Sequence, residues 1–157
     1  MRHASARVTD EERANAQRLL GAQLADFFLR LPLNDQRHGL DVLETVRRLE
    51  GETEPDELLQ QAALLHDMGK GLVTFSIIER SLTVLIKAVS PAALTALLRT
   101  RPGLELRYHT YADHAAIGAR LLEAAGAPEL AAIVAEHHDS QPRLELTRRL
   151  QRADARH

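Results

Sequence analysis

Apolar residues recur three and four positions apart along almost the whole chain, and no stretch alternates in the manner of a strand. That periodicity, punctuated by proline, glycine and capping residues, predicts a succession of helices. Thr9-Asp10-Glu11-Glu12 has the form of a capping box, with Thr9 as N-cap and Glu12 reaching back. Its helix is expected to run to about Leu31, where Pro32 ends it. Asn34 or Asp35 caps a second helix with the stripe Val42, Leu43, Val46 and Leu49, and Gly51 closes it. Pro55 falls in the first turn of a third, with Leu58, Leu59, Ala62 and Leu65 on one face and Gly69 at its end.

Ser76-Ile77-Ile78-Glu79 forms a second capping box, ahead of the stripe Ile78, Leu82, Leu85, Ile86 and Val89. Ser90-Pro91 opens a short helix through Leu94, Leu97 and Leu98, and Arg101-Pro102-Gly103 reads as a loop. A helix bearing Ile117, Leu121 and Leu122 stops at Gly126. Pro128 starts the next, with Leu130, Ile133 and Val134, and Pro142 precedes the last, with Leu146 and Leu150. The expected fold is an all-α bundle in one domain spanning residues 1–157, with an N-terminal helix in 1–33 and a core in 34–157.

A chain of 157 residues is long enough to bury a real core as one unit. The net charge of -2 provides no basic field for polymeric nucleic acid. There is no cysteine, which removes disulfides, iron–sulfur clusters and thiolate-bound zinc and fits a reducing cytoplasm. No run approaches the roughly 18 apolar residues of a membrane span. Met1 to Asp10 is polar and lacks the apolar centre of a signal peptide. A cytoplasmic protein without a membrane partner is expected.

Eight histidines stand beside only two tyrosines, three phenylalanines and no tryptophan, so their placement carries more information than the aromatic residues do. Surface exposure accounts for His3 and His157, near the ends of the chain. Four of the others fall on the apolar stripes. His38 is one turn before Val42, His66 one turn after Ala62, His137 one turn after Ile133 and Asp154 one turn after Leu150; His114 is on the side of Ile117 and Leu121. Asp67 follows His66 directly. One inward histidine is ordinarily a hydrogen-bonded core residue. Four inward histidines with two carboxylates are hard to satisfy without a cation, and facing helices are a usual source of such metal sites. Nitrogen and carboxylate donors without thiolate suit iron, manganese, zinc, nickel or cobalt.

Five separated segments, in order, resemble the HD-domain superfamily of metal-dependent phosphohydrolases. They are Arg37-His38-Gly39-Leu40-Asp41-Val42, Ala63-Leu64-Leu65-His66-Asp67-Met68-Gly69-Lys70, His114 to Leu122, Ile133-Val134-Ala135-Glu136-His137-His138 and Gln151-Arg152-Ala153-Asp154. The second resembles the HDIG variant, with Met68 where isoleucine is usual. The resemblance implies one or two divalent transition metals. His38, His66, Asp67 and Asp154 match the ligands of a first ion. His114 and His137 match those of a second, with Asp67 bridging and His138 as the alternative to His137. Lys70 matches a lysine beside the site that contacts substrate phosphate; by its position alone it is a cation complementing the end of a helix.

The resemblance further implies hydrolysis of a phosphate ester or anhydride of a small, nucleotide-like molecule by metal-activated hydroxide, with Asp67 and Lys70 as the catalytic residues. The same fold also serves di-iron oxygenases and non-catalytic signalling domains, the latter commonly after losing metal residues. The Gly-Tyr-Pro signature of the HD-GYP phosphodiesterases is absent: His138 is followed by Asp139-Ser140-Gln141-Pro142, which argues against cyclic-di-GMP cleavage. The large synthetase half of the guanosine tetraphosphate enzymes is missing as well. The stretch from Gly71 to Tyr111 is peculiar to this chain, and its Arg80, Lys87, Arg99, Arg101, Arg107 and His109 are expected on solvated faces.

Overall fold

The computed structural model describes residues 7–51, 55–72 and 77–157. These form α1 (Asp10–Leu29), α2 (Leu33–Glu50), α3 (Glu57–Leu65), a 3-10 turn (Met68–Leu72), α4 (Ile77–Val89), α5 (Pro91–Arg99), α6 (Pro102–Ala112), α7 (His114–Ala124), α8 (Pro128–Ala135) and α9 (Glu145–Asp154). No strand occurs among the described residues, so the chain is all-α as its periodicity predicts. None of the described helices is long and apolar enough to cross a membrane.

Helix α3 is the centre of the molecule. Its Leu59, Ala62, Ala63, Leu64 and Leu65 are almost inaccessible to solvent. It packs against α1, α2, α8 and α9, while α7 lies against α8 and the 3-10 turn. Close approach of α2 to α3 depends on Gly39, where a Cβ would sit 3.0 Å from the Leu64 carbonyl oxygen. Phe28 of α1, Val42 and Val46 of α2, Leu122 of α7, Leu130 and Val134 of α8 and Leu150 of α9 close the apolar core around α3.

The Thr9 capping box forms, with the Glu12 amide donating to Thr9 Oγ1 and the Thr9 amide donating to Glu12 Oε2. Beyond it, α1 is not the continuous helix expected. Gly21 adopts φ 67°, a left-handed geometry that only glycine takes up freely, and the helix kinks there. Helix α2 starts at Leu33 rather than after an Asn34 or Asp35 cap. The Pro32 carbonyl already accepts from the amides of Asp35 and Gln36 and winds the chain earlier. The buried Gln36 amide group then donates back to the Leu31 and Leu29 carbonyls, satisfying the end of α1.

Other boundaries also move. Asp56, not Pro55, leads into α3: its carboxylate accepts from the Leu58 amide and Pro55 lies just outside. Helix α3 ends at Leu65, with His66 as C-cap, so Gly69 is not its terminator. Gly69 is needed for a different reason, since a Cβ there would overlap the carbonyl of His114. Arg101-Pro102-Gly103 is not a loop; Pro102 occupies the first turn of α6, where its missing amide costs nothing. The Ser90 cap and the Pro128 start of α8 are as expected, and the Ser76 box lies outside the described residues.

The stripe assigned to α4 is only partly used. Ile86 packs with Leu94, Leu98 and Leu104 in a second, smaller cluster. Leu82, Leu85 and Val89 are exposed instead, and Thr83 on the opposite side is buried. Periodicity locates an apolar face without saying how much of it neighbouring helices will cover. Helices α4 to α6 therefore form an annex to the main core.

Overlap at Gly69 makes a specific expectation. Gly69→Ala should lose about 1–3 kcal/mol or more of unfolding free energy through overpacking against α7. Gly103→Ala, whose Cβ meets nothing nearer than Arg107 at 3.5 Å, should be neutral or gain up to about 1 kcal/mol. Urea unfolding of both variants checks this; a Gly69→Ala protein of wild-type stability would contradict the contact.

Candidate metal centre

Five helices bring one end each to a common point. His38 lies in the first half of α2. His66 and Asp67 leave the C-terminus of α3, His114 is the first residue of α7, His137 and His138 follow α8, and Asp154 is the last residue of α9. Helix ends converge because α3 is enclosed on all sides, so the chain leaving it must pass between its neighbours.

Three of the imidazoles are held in the same way. Nδ1 of His66 lies 3.1 Å from the Ala63 carbonyl, Nδ1 of His114 lies 2.7 Å from that of Tyr111, and Nδ1 of His137 lies 2.6 Å from that of Val134. In each neutral ring Nδ1–H donates to the carbonyl three residues earlier, which leaves Nε2 with its lone pair pointing inward. Such a contact fixes both tautomer and ring orientation in metal-binding histidines.

Those lone pairs converge on Asp67. Its Oδ2 is 3.6 Å from His66 Nε2 and 3.7 Å from His38 Nε2. Its Oδ1 is 3.2 Å from His114 Nε2 and 3.6 Å from His137 Nε2. Asp154 Oδ1 lies 3.0 Å from His38 Nε2 and 3.7 Å from His66 Nε2. His114 Nε2 faces His137 Nε2 at 3.2 Å and His138 Nε2 at 3.0 Å. Two overlapping donor groups result: His38, His66 and Asp67, with Asp154 alongside; and Asp67, His114, His137 and His138. Both contain Asp67.

This donor set fits a metal ion. With their Nδ1 protons given to carbonyls, the Nε2 atoms of neutral His66, His114 and His137 are acceptors that face the Asp67 oxygens, also acceptors. Asp67 Oδ1 is buried and finds no hydrogen-bond donor of good geometry. Bond lengths of about 2.0–2.2 Å to one ion place adjacent donors roughly 3–3.5 Å apart, close to the spacing found here. A cation relieves the lone-pair repulsion and the desolvation of the carboxylate together.

Ionisation agrees with that reading. Burial pushes His66 down to about 4, against the pull of Asp67, so the ring is neutral. His138 is likewise pushed down to about 4, by burial and by the neighbouring His137 and His114. Burial alone would raise Asp67, but where the facing His114 and His137 nitrogens carry a proton they donate to it, and with His66 and Lys70 they hold the carboxyl far below the usual range; an ion in their place would act in the same sense. The hydrogen bond between His38 and Asp154 raises the former, against its burial, and lowers the latter. Lys70 sits in the 3-10 turn, not at the end of an α-helix, so it does not serve as a helix-end cation. Its Nζ lies 2.6 Å from Asp67 Oδ2 and 5.5 Å from the centre of the Tyr111 ring.

Three residues acquire roles that periodicity did not reveal. Tyr111 holds His114 through its carbonyl and lies against Lys70 through its ring. Gln151 Nε2 donates to the carbonyls of His137 and Asp139 and ties the α8–α9 loop to α9. His157, expected as an ordinary surface histidine, is exposed but anchored: its Nε2 lies 2.8 Å from the buried Thr45 Oγ1, and its ring centre 6.3 Å from that of His38. His3 lies outside the described residues. The carbonyl three residues before each inward histidine was the available signal for Tyr111; Gln151 and His157 had none. Of the cations expected on solvated faces between Gly71 and Tyr111, Lys87, Arg99, Arg101 and His109 are exposed, Arg107 is half-buried against Glu79, and the Arg80 side chain lies outside the described residues.

Residues 36–157 match the HD domain family. No curated protein and no solved structure gives a match. The matched span leaves out α1, begins just before His38 and takes in both donor groups. HD domains are commonly metal-dependent hydrolases, and the matched span includes the His66-Asp67 pair at the point where the helix ends meet. Since the match covers most of the chain and the fold is all-α, the protein belongs to the HD domain family.

Proposed function

We propose that the protein is a metal-dependent phosphohydrolase acting on a phosphate ester or anhydride of a small, nucleotide-like molecule. The observation behind this reading is the two-sided use of Asp67, which offers Oδ2 to one histidine group and Oδ1 to the other. His38, His66, Asp67 and Asp154 would hold a first ion; Asp67, His114 and His137, with His138 beside them, a second. Divalent transition metals in such a set act as Lewis acids that polarise phosphoryl oxygens and acidify water.

The chain's own groups do the positioning. Carbonyls of Ala63, Tyr111 and Val134 keep three imidazoles aimed and in one tautomer. His66, His114 and His137 have side chains 2%, 5% and 1% exposed, whereas His38 and Asp154 are each 30% exposed and His138 is exposed, so a substrate reaches the centre where α2, α9 and the turn after α8 border it. Lys70 lies beside Asp67 Oδ2 with its side chain 18% exposed and offers its ammonium to a phosphoryl oxygen. Low solvent access around Asp67 strengthens these charge interactions.

Asp67→Ala should abolish metal retention and with it phosphate release from nucleotide and model phosphate esters. Elemental analysis and a phosphate-release panel on the same preparations provide the check; full metal content in Asp67→Ala would overturn the assignment. Loaded wild type should contain about two ions per chain and His114→Ala about one, in line with two-metal ligand sharing. One ion in fully loaded wild type would reduce the centre to a mononuclear one.

Lys70→Ala should keep its metal and lose catalytic efficiency roughly ten- to a hundredfold, the size of a lost charge-assisted contact. Unchanged efficiency on a confirmed substrate would remove Lys70 from the site.

Acid should destabilise the metal-stripped protein. His66 has a folded value of about 4 against 6.5 for the free side chain, so between these values the unfolded chain binds more protons. Stability from this residue is present above pH 6.5 and is lost as pH falls towards 4. His138 acts in the same sense, and the raised His38 opposes them. Melting temperature in chelator, measured against pH, should fall across that window, and less steeply for His66→Gln. A flat profile would contradict neutral burial of His66.

A further inference from the structure

The annex of α4, α5 and α6 carries a half-open cavity of about 500 Å³. Ile86, Leu97 and Leu104 supply apolar wall, and Glu79, Arg101 and Arg107 supply the charge. None of the metal-centre residues lines it. Its volume lies within the roughly 300–1,000 Å³ typical of small-molecule sites, which combine apolar walls with a few polar groups.

The polar side is incompletely satisfied. Arg107 Nη2 donates to Glu79 Oε1 at 2.6 Å, a half-buried ion pair. Arg107 Nε has no hydrogen-bond acceptor but is closed to solvent, so it meets a ligand in the cavity only if the guanidinium turns; the outer guanidinium nitrogens are the ones a ligand reaches directly. A buried donor left unmade is costly, and such groups are rare in folded proteins. Arg101 adds a second guanidinium, while Glu79 is the one carboxylate among the described lining residues. Among the described lining residues, positive charge exceeds negative by one.

We propose that this cavity binds a small molecule with a ring-sized apolar body and a single anionic group. The body packs against Ile86, Leu97 and Leu104, and the anion accepts hydrogen bonds from Arg107 and Arg101. The site is separate from the metal centre but shares a helix with it. The N-terminal half of α6 borders the cavity; its C-terminal end carries Tyr111, which holds His114 and lies against Lys70.

Anilinonaphthalene sulfonate, a fused-ring body with one sulfonate, is a suitable probe, and uncharged phenylnaphthylamine is its control. Titrations should use the full chain in the Asp67→Ala background, which keeps the result independent of metal and of hydrolysis. Expected are saturable binding of about one sulfonate probe per chain and an affinity about tenfold or more above that of the uncharged analogue, as for one charge-assisted contact. Arg107→Gln should abolish that preference. Arg101→Gln, at an exposed position that folding tolerates, should weaken it. Leu85→Ser, on the exposed face of α4, should leave binding unchanged. Displacement by naphthylacetate or by naphthyl phosphate identifies the anion as carboxylate or phosphate. Equal affinity for the uncharged analogue, indifference to both arginine variants, loss of binding in Leu85→Ser or failure of both competitors would overturn the site.

Discussion

The structure turns on a carboxylate buried among nitrogen lone pairs. Asp67 is almost enclosed, its two oxygens face four imidazoles, and Lys70 is the fixed cation beside it. In a purely apolar core a charge so placed is unfavourable, and neutral histidines whose Nδ1 protons are already engaged cannot donate to it. The arrangement is balanced when a cation enters. The polar residues at the meeting point of α2, α3, α7, α8 and α9 are the ones that would hold it; most other inward positions on these helices are apolar, with Gln36, Thr45, Gln60 and Thr147 as buried exceptions.

Precision at this point comes from backbone rather than from polar side chains. A carbonyl three residues upstream orients His66, His114 and His137. The carbonyls belong to the last turn of a helix or its immediate exit, where intrahelical donors have run out. Gly69 lets the 3-10 turn press on the His114 backbone, and Gly39 lets α2 press on α3. The same shortage of space that makes the core rigid thus sets the distances between the donors. Gln151, spanning from α9 to the His137 and Asp139 carbonyls, closes the remaining free loop.

Helices α4 to α6 follow a different logic. Their small cluster of Leu94, Leu98 and Leu104 is separate from the main core, and Leu82, Leu85 and Val89 are left facing outward. The annex reaches the centre through Tyr111, whose backbone and ring serve different neighbours. It also carries a half-buried ion pair of its own, between Glu79 and Arg107.

Much of this was legible before any coordinates. The 3.6-residue period gave the helices, and the phase of His38, His66, His114, His137 and Asp154 on apolar stripes put them on inward faces, because side chains three or four apart must share a helix surface. Adjacent His66 and Asp67 announced the doublet, and the ordered motifs announced the family. Local pattern could not supply the kink at Gly21, the early start of α2, the helix beginning at Pro102 or the exposure of Leu82 and Leu85, since each depends on what packs nearby. Nor could it show that Asp67 offers a different oxygen to each histidine group, that Lys70 rests on Asp67, or that His157 meets Thr45. Sequence periodicity records which face of a helix is turned inward; distances between residues on different helices exist only once those faces have packed.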